Sequence, residues 1–168
     1  MIARVTDAPG TQEGLTHVRA DGTAHMVDVS GKEVTARRAT ASGMVLLSPA
    51  AVAALRGGSV PKGDALGVAR VAGIQAVKRT PDLIPLAHPV AVHAVEVDLD
   101  VVDEGVRVRA AVRTADRTGI EMEALTAVSV AAANAPSPGA AQPVTAPELA
   151  ARPRSAPHPE SCNELFPN

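Results

Sequence analysis

Residues 92–114 contain two runs in which apolar and charged side chains alternate, as in a β-strand with one buried face. In the first run, 95–101, every odd position is valine or leucine and every even position is acidic. In the second, 106–112, the even positions are apolar and arginine occupies positions 107 and 109. The segment VDEG between them suits a turn. The pattern predicts two antiparallel strands with one core face and one charged face.

The turn of this strand pair decides which charges face each other. A loop with an even residue count around Asp103-Glu104 pairs Asp100 with Arg107 and Asp98 with Arg109. Cross-strand ion pairs on a solvated face account for these charges without any ligand. We therefore interpret them as structural.

A central helix is predicted over residues 64–79, DALGVARVAGIQAVKR. Asp64 stands at the N-cap, and Thr80-Pro81 supplies the stop signal. Gly67 and Gly73 lower the helix propensity but allow the helix to pack closely on a neighbour.

Another helix is predicted in TGIEMEALTAVSVAAA, residues 118–133. Thr118 followed three residues later by Glu121 matches a capping box, so Glu121 is interpreted first as a capping residue. Glu123 has no such local duty, and its carboxyl is free to face a pocket. A shorter helix is predicted in SPAAVAALRGG, residues 48–58.

The segment GLTHVRADGTAHMVDVS predicts a hairpin around Asp21-Gly22, a dipeptide that favours a two-residue turn. This register sets His17 opposite Met26 and Val18 opposite His25. The two histidines then lie on opposite faces of the ribbon and do not share a metal ion.

The composition excludes several classes of function. A chain of 168 residues has room for one domain with a core. A net charge of −2 and a single aromatic residue provide neither the field nor the stacking surfaces of a nucleic-acid binder. Cys162 is the only cysteine, as is typical of a reducing compartment, and no segment approaches the roughly 20 apolar residues of a membrane span. We expect a cytoplasmic protein that binds neither nucleic acid nor membrane.

The sequence contains no Walker loop, dinucleotide fingerprint, nucleophile-elbow serine or zinc-ligand cluster. A set of cations remains, together with one histidine, His88, in a proline-rich segment. Such a set suits an anionic, phosphorylated substrate and general acid–base chemistry. The cations are Arg37, Lys62, Arg70, Lys78 and Arg79.

Two groups of these cations allow alternative explanations. Arg70, Ile74 and Lys78 follow one another at four-residue spacing, so two cations project from one helix face and form a candidate anion site. Lys78 and Arg79, however, also favour the negative end of the helix dipole. Lys62, in VPKGD, is suited to meeting a phosphate or donating a proton, or else is an exposed loop lysine.

His88 lies in PDLIPLAHPV between prolines. Pro85 and Pro89 fix their own φ angles and bias the residues before them towards extended geometry, which predicts a short rigid rod over 86–88. The imidazole is then aimed before a ligand arrives. The alternative is a core histidine hydrogen-bonded to backbone.

The character of the chain changes after Ala133. Residues 134–168 hold 8 of the 14 prolines and no periodic apolar pattern, which predicts a disordered tail. We divide the chain into a flexible N-terminus, 1–14, a domain over 15–133, and this tail. Strands and helices in this order indicate an α+β fold rather than a doubly wound parallel sheet.

Four segments resemble the cyclic pyranopterin monophosphate synthase family (MoaC type) of molybdenum-cofactor biosynthesis. They are LTHVRADGTAHMVDVSGKEVTARRA, PKGDALGVARVAGIQAVKRTPDLIPLAHPV, VEVDL and RTGIEMEALTAVSVAA, in that order within 15–133. The resemblance implies a ferredoxin-like antiparallel sheet with helices packed on one face. It also implies a homohexamer built from dimers with active sites at the dimer interface. The implied reaction converts 3′,8-cyclo-7,8-dihydroguanosine triphosphate into cyclic pyranopterin monophosphate and pyrophosphate.

The resemblance also assigns residues. Lys62 and His88 take the positions of the family's catalytic lysine and histidine, and Arg37 that of a phosphate-binding arginine. No metal site and no required cofactor are implied, although Mg²⁺ can accompany the triphosphate. The remaining residues expected at the substrate are Leu86, Ala87, Met122 and Glu123 by resemblance, and Arg70 and Lys78 from the helix face.

The chain departs from the family pattern in two places. Ala87 stands where the family usually has cysteine. In the tail, Ser137 falls where the family has an acid–base aspartate, and two active-site lysines have no counterpart. One interpretation is a shifted reading frame, an altered exon or a gene-model error beyond Ala133. Another is a non-catalytic paralogue that binds nucleotide or family partners without turnover.

Overall fold

A computed structural model describes residues 17–19, 21–58, 64–136 and 145–151. Lys62 and the segments 1–16, 137–144 and 152–168 lie outside the described residues. The elements in chain order are β1 Thr35–Leu46, α1 Pro49–Arg56, α2 Ala65–Val77, α3 Thr80–Leu83, β2 Val92–Val102, β3 Gly105–Asp116, α4 Glu121–Asn134 and β4 Thr145–Ala151.

The four strands form one sheet in the order β2-β3-β1-β4, with every neighbouring pair antiparallel. Helix α4 packs on β1 and β3, and α2 packs on α4 and β2. This arrangement confirms the predicted α+β fold with a ferredoxin-like antiparallel sheet. The core lies between sheet and helices and is built mainly from valine and alanine, including Val97, Val108, Val112, Ala127 and Val128.

Strands β2 and β3 have the register that the sequence predicts. Asp100 pairs with Arg107 and Asp98 with Arg109, and the strands turn at Asp103-Glu104. One ion pair forms among these four charges, and it runs diagonally from Arg109 Nη2 to Asp100 Oδ2 at 3.2 Å, between half-exposed side chains. Exposed pairs of this kind contribute at most about 1 kcal/mol, which agrees with a structural interpretation.

Strand β1 was not predicted. Its buried positions include Ala39, Ala41 and Val45, and it pairs with β3 along its whole length. Alanine is depleted in strands because its side chain adds little cross-strand packing. Burial between two partner strands therefore decides the conformation of β1, and its own residues give only a weak signal.

Strand β4 lies within the tail for which the sequence predicts disorder. Thr145–Ala151 pairs with β1, with a register shift between Ser42 and Met44 that marks a β-bulge. For these seven residues the expectation of disorder does not hold, because an open edge of β1 offers backbone partners that composition cannot reveal. The other residues of the tail beyond Pro136 lie outside the part of the chain that the structure describes.

The predicted central helix is confirmed, since Asp64 is the N-cap of α2 and its Oδ1 accepts from Gly67 N at 2.8 Å. A short helix, α3, replaces the simple stop expected at Thr80-Pro81. Gly73 does allow close packing. A Cβ there would lie 3.0 Å from both the Ala127 carbonyl oxygen and the Ala131 Cβ of α4.

The N-terminal turn is present with a different register. Val18 bridges to Ala24, and His25 N donates to His17 O at 3.0 Å. Gly22 has φ +82°, and the pairing on either side of the turn is shifted by one residue from the predicted register. The predicted separation of His17 and His25 onto opposite faces is therefore wrong, because the two residues stand opposite each other.

Among the described helices, none has the length and apolar character needed to cross a membrane.

Candidate active site

A cleft of about 310 Å³ opens where three segments meet: the irregular chain before β1, the segment after α3, and the start of α4. Its lining is mixed, with aliphatic walls and several titratable side chains. The lining residues are His17, Val27, Val29, Lys32, Leu86, Ala87, His88, Thr118, Gly119, Glu121, Met122 and Glu123.

Five residues named from the sequence come together in this cleft although they belong to two separate segments. Leu86, Ala87 and His88 follow α3, and Met122 and Glu123 lie in the first turn of α4. Packing of α3 against α4 brings the two segments together.

The imidazole of His88 is half-buried, and its Nε2 lies 2.8 Å from the carbonyl oxygen of Val27. Because a carbonyl oxygen can only accept a hydrogen bond, Nε2 is the protonated nitrogen. The Nδ1 atom has no hydrogen-bond partner among the described residues. It is therefore the nitrogen that can exchange a proton with a ligand.

The chain before His88 is a turn rather than the extended rod expected from the prolines. Ala87 N donates to Ile84 O at 3.2 Å, and Leu86 has φ +68°. Proline at the second position and a positive φ at the third are the marks of a type II turn. Leu86 thus occupies a conformation that most side chains avoid, and the prediction of extended geometry at this residue is wrong.

The side chain of Glu123 is almost completely buried, with 2% of the residue exposed. Burial raises the pKa of its carboxyl, and the neighbouring charge of Glu121 raises it further, while a backbone hydrogen bond opposes the shift. A carboxyl held towards its protonated form beside a cleft can donate a proton.

Glu121 does not form the predicted capping box. Helix α4 has Ile120 at its N-cap, and no side chain caps the helix. The carboxylate instead lies over Gly119, where a Cβ would be 2.0 Å from Glu121 Oε2. Glu121 therefore belongs to the cleft wall rather than to a helix cap.

Sequence reasoning missed His17 and Lys32, both of which line the cleft. The Nδ1 of His17 lies 3.3 Å from the His25 carbonyl oxygen, to which it can only donate, so Nε2 is its unprotonated nitrogen when the ring is neutral. The residues around Lys32 form neither helix nor strand. Without periodicity, no pattern in this segment indicates which side chains face the cleft.

The four predicted cations that the structure describes all lie outside the lining of this cleft. Arg37 donates from Nε to Asp116 O at 3.0 Å and from Nη2 to Arg117 O at 3.3 Å. Arg70 Nε donates to Val97 O at 2.9 Å, on a strand at the edge of the sheet. Lys78 is exposed at the C-cap of α2, where the negative end of the helix dipole stabilises a cation.

The structure does not bring Arg70 and Lys78 to the cleft. Arg70 instead donates to a backbone carbonyl oxygen of the edge strand β2. Arg79 forms an exposed ion pair with Asp82 at 3.7 Å. Each observation favours the structural explanation for that arginine.

Within the described ranges, no group of three or more histidine, cysteine, aspartate or glutamate side chains is arranged to hold a metal ion.

Fold and cleft together define a class of α+β protein: a four-stranded ferredoxin-like sheet covered by helices, with one cleft lined by an imidazole from the segment after α3 and a buried carboxyl from α4. The MoaC family model matches residues 26–135, which include every described element except β4. The chain belongs to the MoaC family. The match ends close to the point where the composition changes.

Several relatives are similar over most of this chain. The cyclic pyranopterin monophosphate synthase of Streptomyces avermitilis is 63% identical over 127 residues, covering 76% of this chain and 75% of the relative. The synthase of Streptomyces coelicolor is 64% identical over 121 residues, covering 72% and 71%. That of a Nocardioides species is 67% identical over 121 residues, covering 70% and 74%.

Proposed function

We propose that this chain is a cyclic pyranopterin monophosphate synthase, a lyase of molybdenum-cofactor biosynthesis. Family membership and the activity for which its relatives are named support the proposal. The observation that carries it is the convergence of His88 and Glu123 on one cleft. Rearrangement of a nucleotide-derived ring with closure of a cyclic phosphate requires proton transfers at several atoms, and these are the groups suited to them.

His88 exchanges protons through Nδ1, because the hydrogen bond to Val27 fixes its Nε2 as a donor. That bond also fixes the orientation of the ring before the substrate enters. Glu123, whose pKa is raised by burial, is the complementary proton donor. The Glu123 carboxyl can therefore give a proton while the unprotonated Nδ1 of His88 accepts one.

The proposal includes several parts that rest on the resemblance. Lys62 is a further proton-transfer residue beside His88 and Glu123, and Arg37 contributes to phosphate binding near the start of β1. Leu86, Ala87 and Met122 contact the substrate. The substrate is 3′,8-cyclo-7,8-dihydroguanosine triphosphate, whose triphosphate can carry Mg²⁺ on its own oxygens.

The proposed function also includes an oligomeric state and a cellular location for the protein. A homohexamer built from dimers would place a second chain beside each cleft. A cytoplasmic location agrees with a chain whose only cysteine is Cys162.

A second candidate is a binding protein without turnover. The observation that favours it is the end of the family match at residue 135. By the resemblance, Ser137 then stands where the family has its acid–base aspartate. Such a protein retains the nucleotide cleft and binds the triphosphate without releasing pyrophosphate.

Turnover separates the two candidates. The full chain is incubated with the cyclic GTP-derived substrate, and both cyclic pyranopterin monophosphate and pyrophosphate are measured. Formation of both products above the rate without protein supports the synthase. Saturable binding of the substrate with only background pyrophosphate release supports the binding protein.

A further inference from the structure

The cleft has one wall without secondary structure, the segment over residues 25–34. Its conformation depends on a few hydrogen bonds. Val27 O accepts from His88, Lys32 N donates to Val29 O at 3.0 Å, and Ser30 N donates to Asp28 Oδ1 at 2.8 Å. The position of this wall is therefore set by individual side chains rather than by a strand ladder.

Arg117 is the main anchor of this wall on the side away from His88. Its Nη1 donates to the carbonyl oxygen of Ser30 at 2.8 Å and also to that of Lys32. Both acceptors are backbone atoms, so the bonds fix the path of the chain on both sides of Gly31. These two hydrogen bonds, which we call the Arg117 clamp, therefore help to set the direction in which the Lys32 side chain projects.

Arg117 is itself held at the end of β3. Its backbone N donates to Asp116 Oδ1 at 2.6 Å, and Arg37 Nη2 donates to its carbonyl oxygen at 3.3 Å. Arg37 Nε donates in addition to Asp116 O at 3.0 Å. The wall that carries Lys32 is thus connected to the sheet by hydrogen bonds from Arg117, which is in turn held by Arg37 of β1.

Lys32 brings a positive charge to the cleft. It lines the cleft, its residue is exposed, and no ion pair joins it to a carboxylate within the described ranges. Glu121 and Glu123 line the same cleft, and burial holds Glu123 towards its neutral form. An ammonium group without a protein partner is suited to a phosphate oxygen.

We propose that Lys32 binds a phosphate group of the ligand in this cleft, and that Arg117 is a positioning residue that holds Lys32 there through the backbone. The inference rests on the proposed function and deepens it by naming a phosphate contact. It replaces Arg70 and Lys78, which the structure places elsewhere. Arg37 then supports the phosphate site indirectly as well, through Arg117.

Binding of pyrophosphate, measured by isothermal titration calorimetry on the full chain, tests Lys32 without requiring turnover. Lys32→Ala is expected to weaken binding by about tenfold or more, because one charge-assisted contact is lost. Lys32→Arg is expected to restore most of the affinity. Arg56→Ala removes an equal charge from a surface pair with Asp103 and is expected to change little. Equal affinities of Lys32→Ala and the parent chain overturn the inference, as does a parent chain that binds no pyrophosphate.

A double-mutant cycle tests the positioning role of Arg117. Arg117→Ala alone is expected to weaken pyrophosphate binding, with Arg117→Met as a second variant if the first unfolds. In the Lys32→Ala background the same change is expected to cause little further loss, because the two residues act as one unit. A loss that is equal in both backgrounds shows that Arg117 does not act through Lys32 and contradicts this half of the inference.

Turnover distinguishes failure of this inference from failure of the proposed function. If the parent chain forms both products and Lys32→Ala has an unchanged KM, the inference fails while the synthase stands. If the parent chain forms no product but binds pyrophosphate through Lys32, the synthase fails while the phosphate contact stands.

Discussion

The Nε2 atom of His88 donates to the carbonyl oxygen of Val27 across 2.8 Å, joining the segment after α3 to the irregular wall of the cleft. Two residues 61 positions apart in sequence are thereby held in one orientation. The bond leaves Nδ1 as the nitrogen for proton exchange, and this assignment has a direct consequence for substitutions.

His88→Gln separates the two functions of the ring. A glutamine amide can still donate to Val27 but cannot titrate, so we expect the fold to be retained and kcat to fall by about 10²–10⁴-fold. Melting temperature and product formation measure the two effects. His88→Ala is the matched comparison, since it removes the hydrogen bond as well. Near-parental kcat in His88→Gln would show that the imidazole takes no part in proton transfer.

Glu123→Gln is expected to change how stability depends on pH. Burial raises the pKa of this carboxyl, so its stabilising contribution is complete below the ordinary glutamate range and is lost as pH rises through the raised value. The glutamine variant lacks this titration. Its stability relative to the parent should therefore be more favourable at about pH 8 than at about pH 4.

Urea unfolding at the two pH values measures this difference for Glu123→Gln. Glu104→Gln, in the exposed turn between β2 and β3, is the control. A stability difference at position 123 that is the same at both pH values would contradict the raised pKa.

Gly73→Ala is expected to destabilise the protein although alanine is the better helix former. The substitution gains about 1 kcal/mol of helix propensity. The new Cβ, however, meets the Ala127 carbonyl oxygen and the Ala131 Cβ at 3.0 Å, and overpacking typically costs about 1–3 kcal/mol. Denaturant unfolding measures the balance. Gln75→Ala, on the exposed side of α2, reports propensity alone. A more stable Gly73→Ala variant would mean that α2 and α4 are less closely packed at Gly73 than these 3.0 Å distances indicate.

Strand β4 is expected to protect its amides from hydrogen exchange. Thr145–Ala151 pairs with β1, so its ladder amides should exchange at least about tenfold more slowly than an unstructured peptide, equivalent to about 1.4 kcal/mol of local stability. Val92–Val102 forms the other edge of the sheet and is the internal reference. Exchange of the whole β4 segment at peptide rates would exclude the strand.

The parts of the fold that the sequence reveals are those with strong local patterns. Alternation between apolar and charged residues was sufficient to predict strands β2 and β3 and the register between them. Asp64 was sufficient to predict where α2 begins. Strands β1 and β4 lack such patterns. The first is rich in alanine and the second lies in a segment rich in proline, so both depend on partner strands that are distant in sequence.

The candidate site was predictable where chemistry stands out locally. His88 among prolines and Glu123 without a capping role both reach the cleft. His17 and Lys32 do not stand out, because their positions depend on a shifted turn register and on the clamp from Arg117. Arg70 was expected at a ligand because it shares a helix face with Lys78. Helix spacing cannot reveal that the Nε of Arg70 donates to a carbonyl oxygen of the edge strand β2.

The most direct test of the proposed function is the rate at which the full chain converts the cyclic GTP-derived substrate, measured in parallel for the parent and His88→Gln. The synthase predicts that the parent releases pyrophosphate and cyclic pyranopterin monophosphate in equal amounts, and that His88→Gln retains substrate binding but loses most of this turnover. A parent chain that binds the substrate and releases no more pyrophosphate than His88→Gln would contradict it.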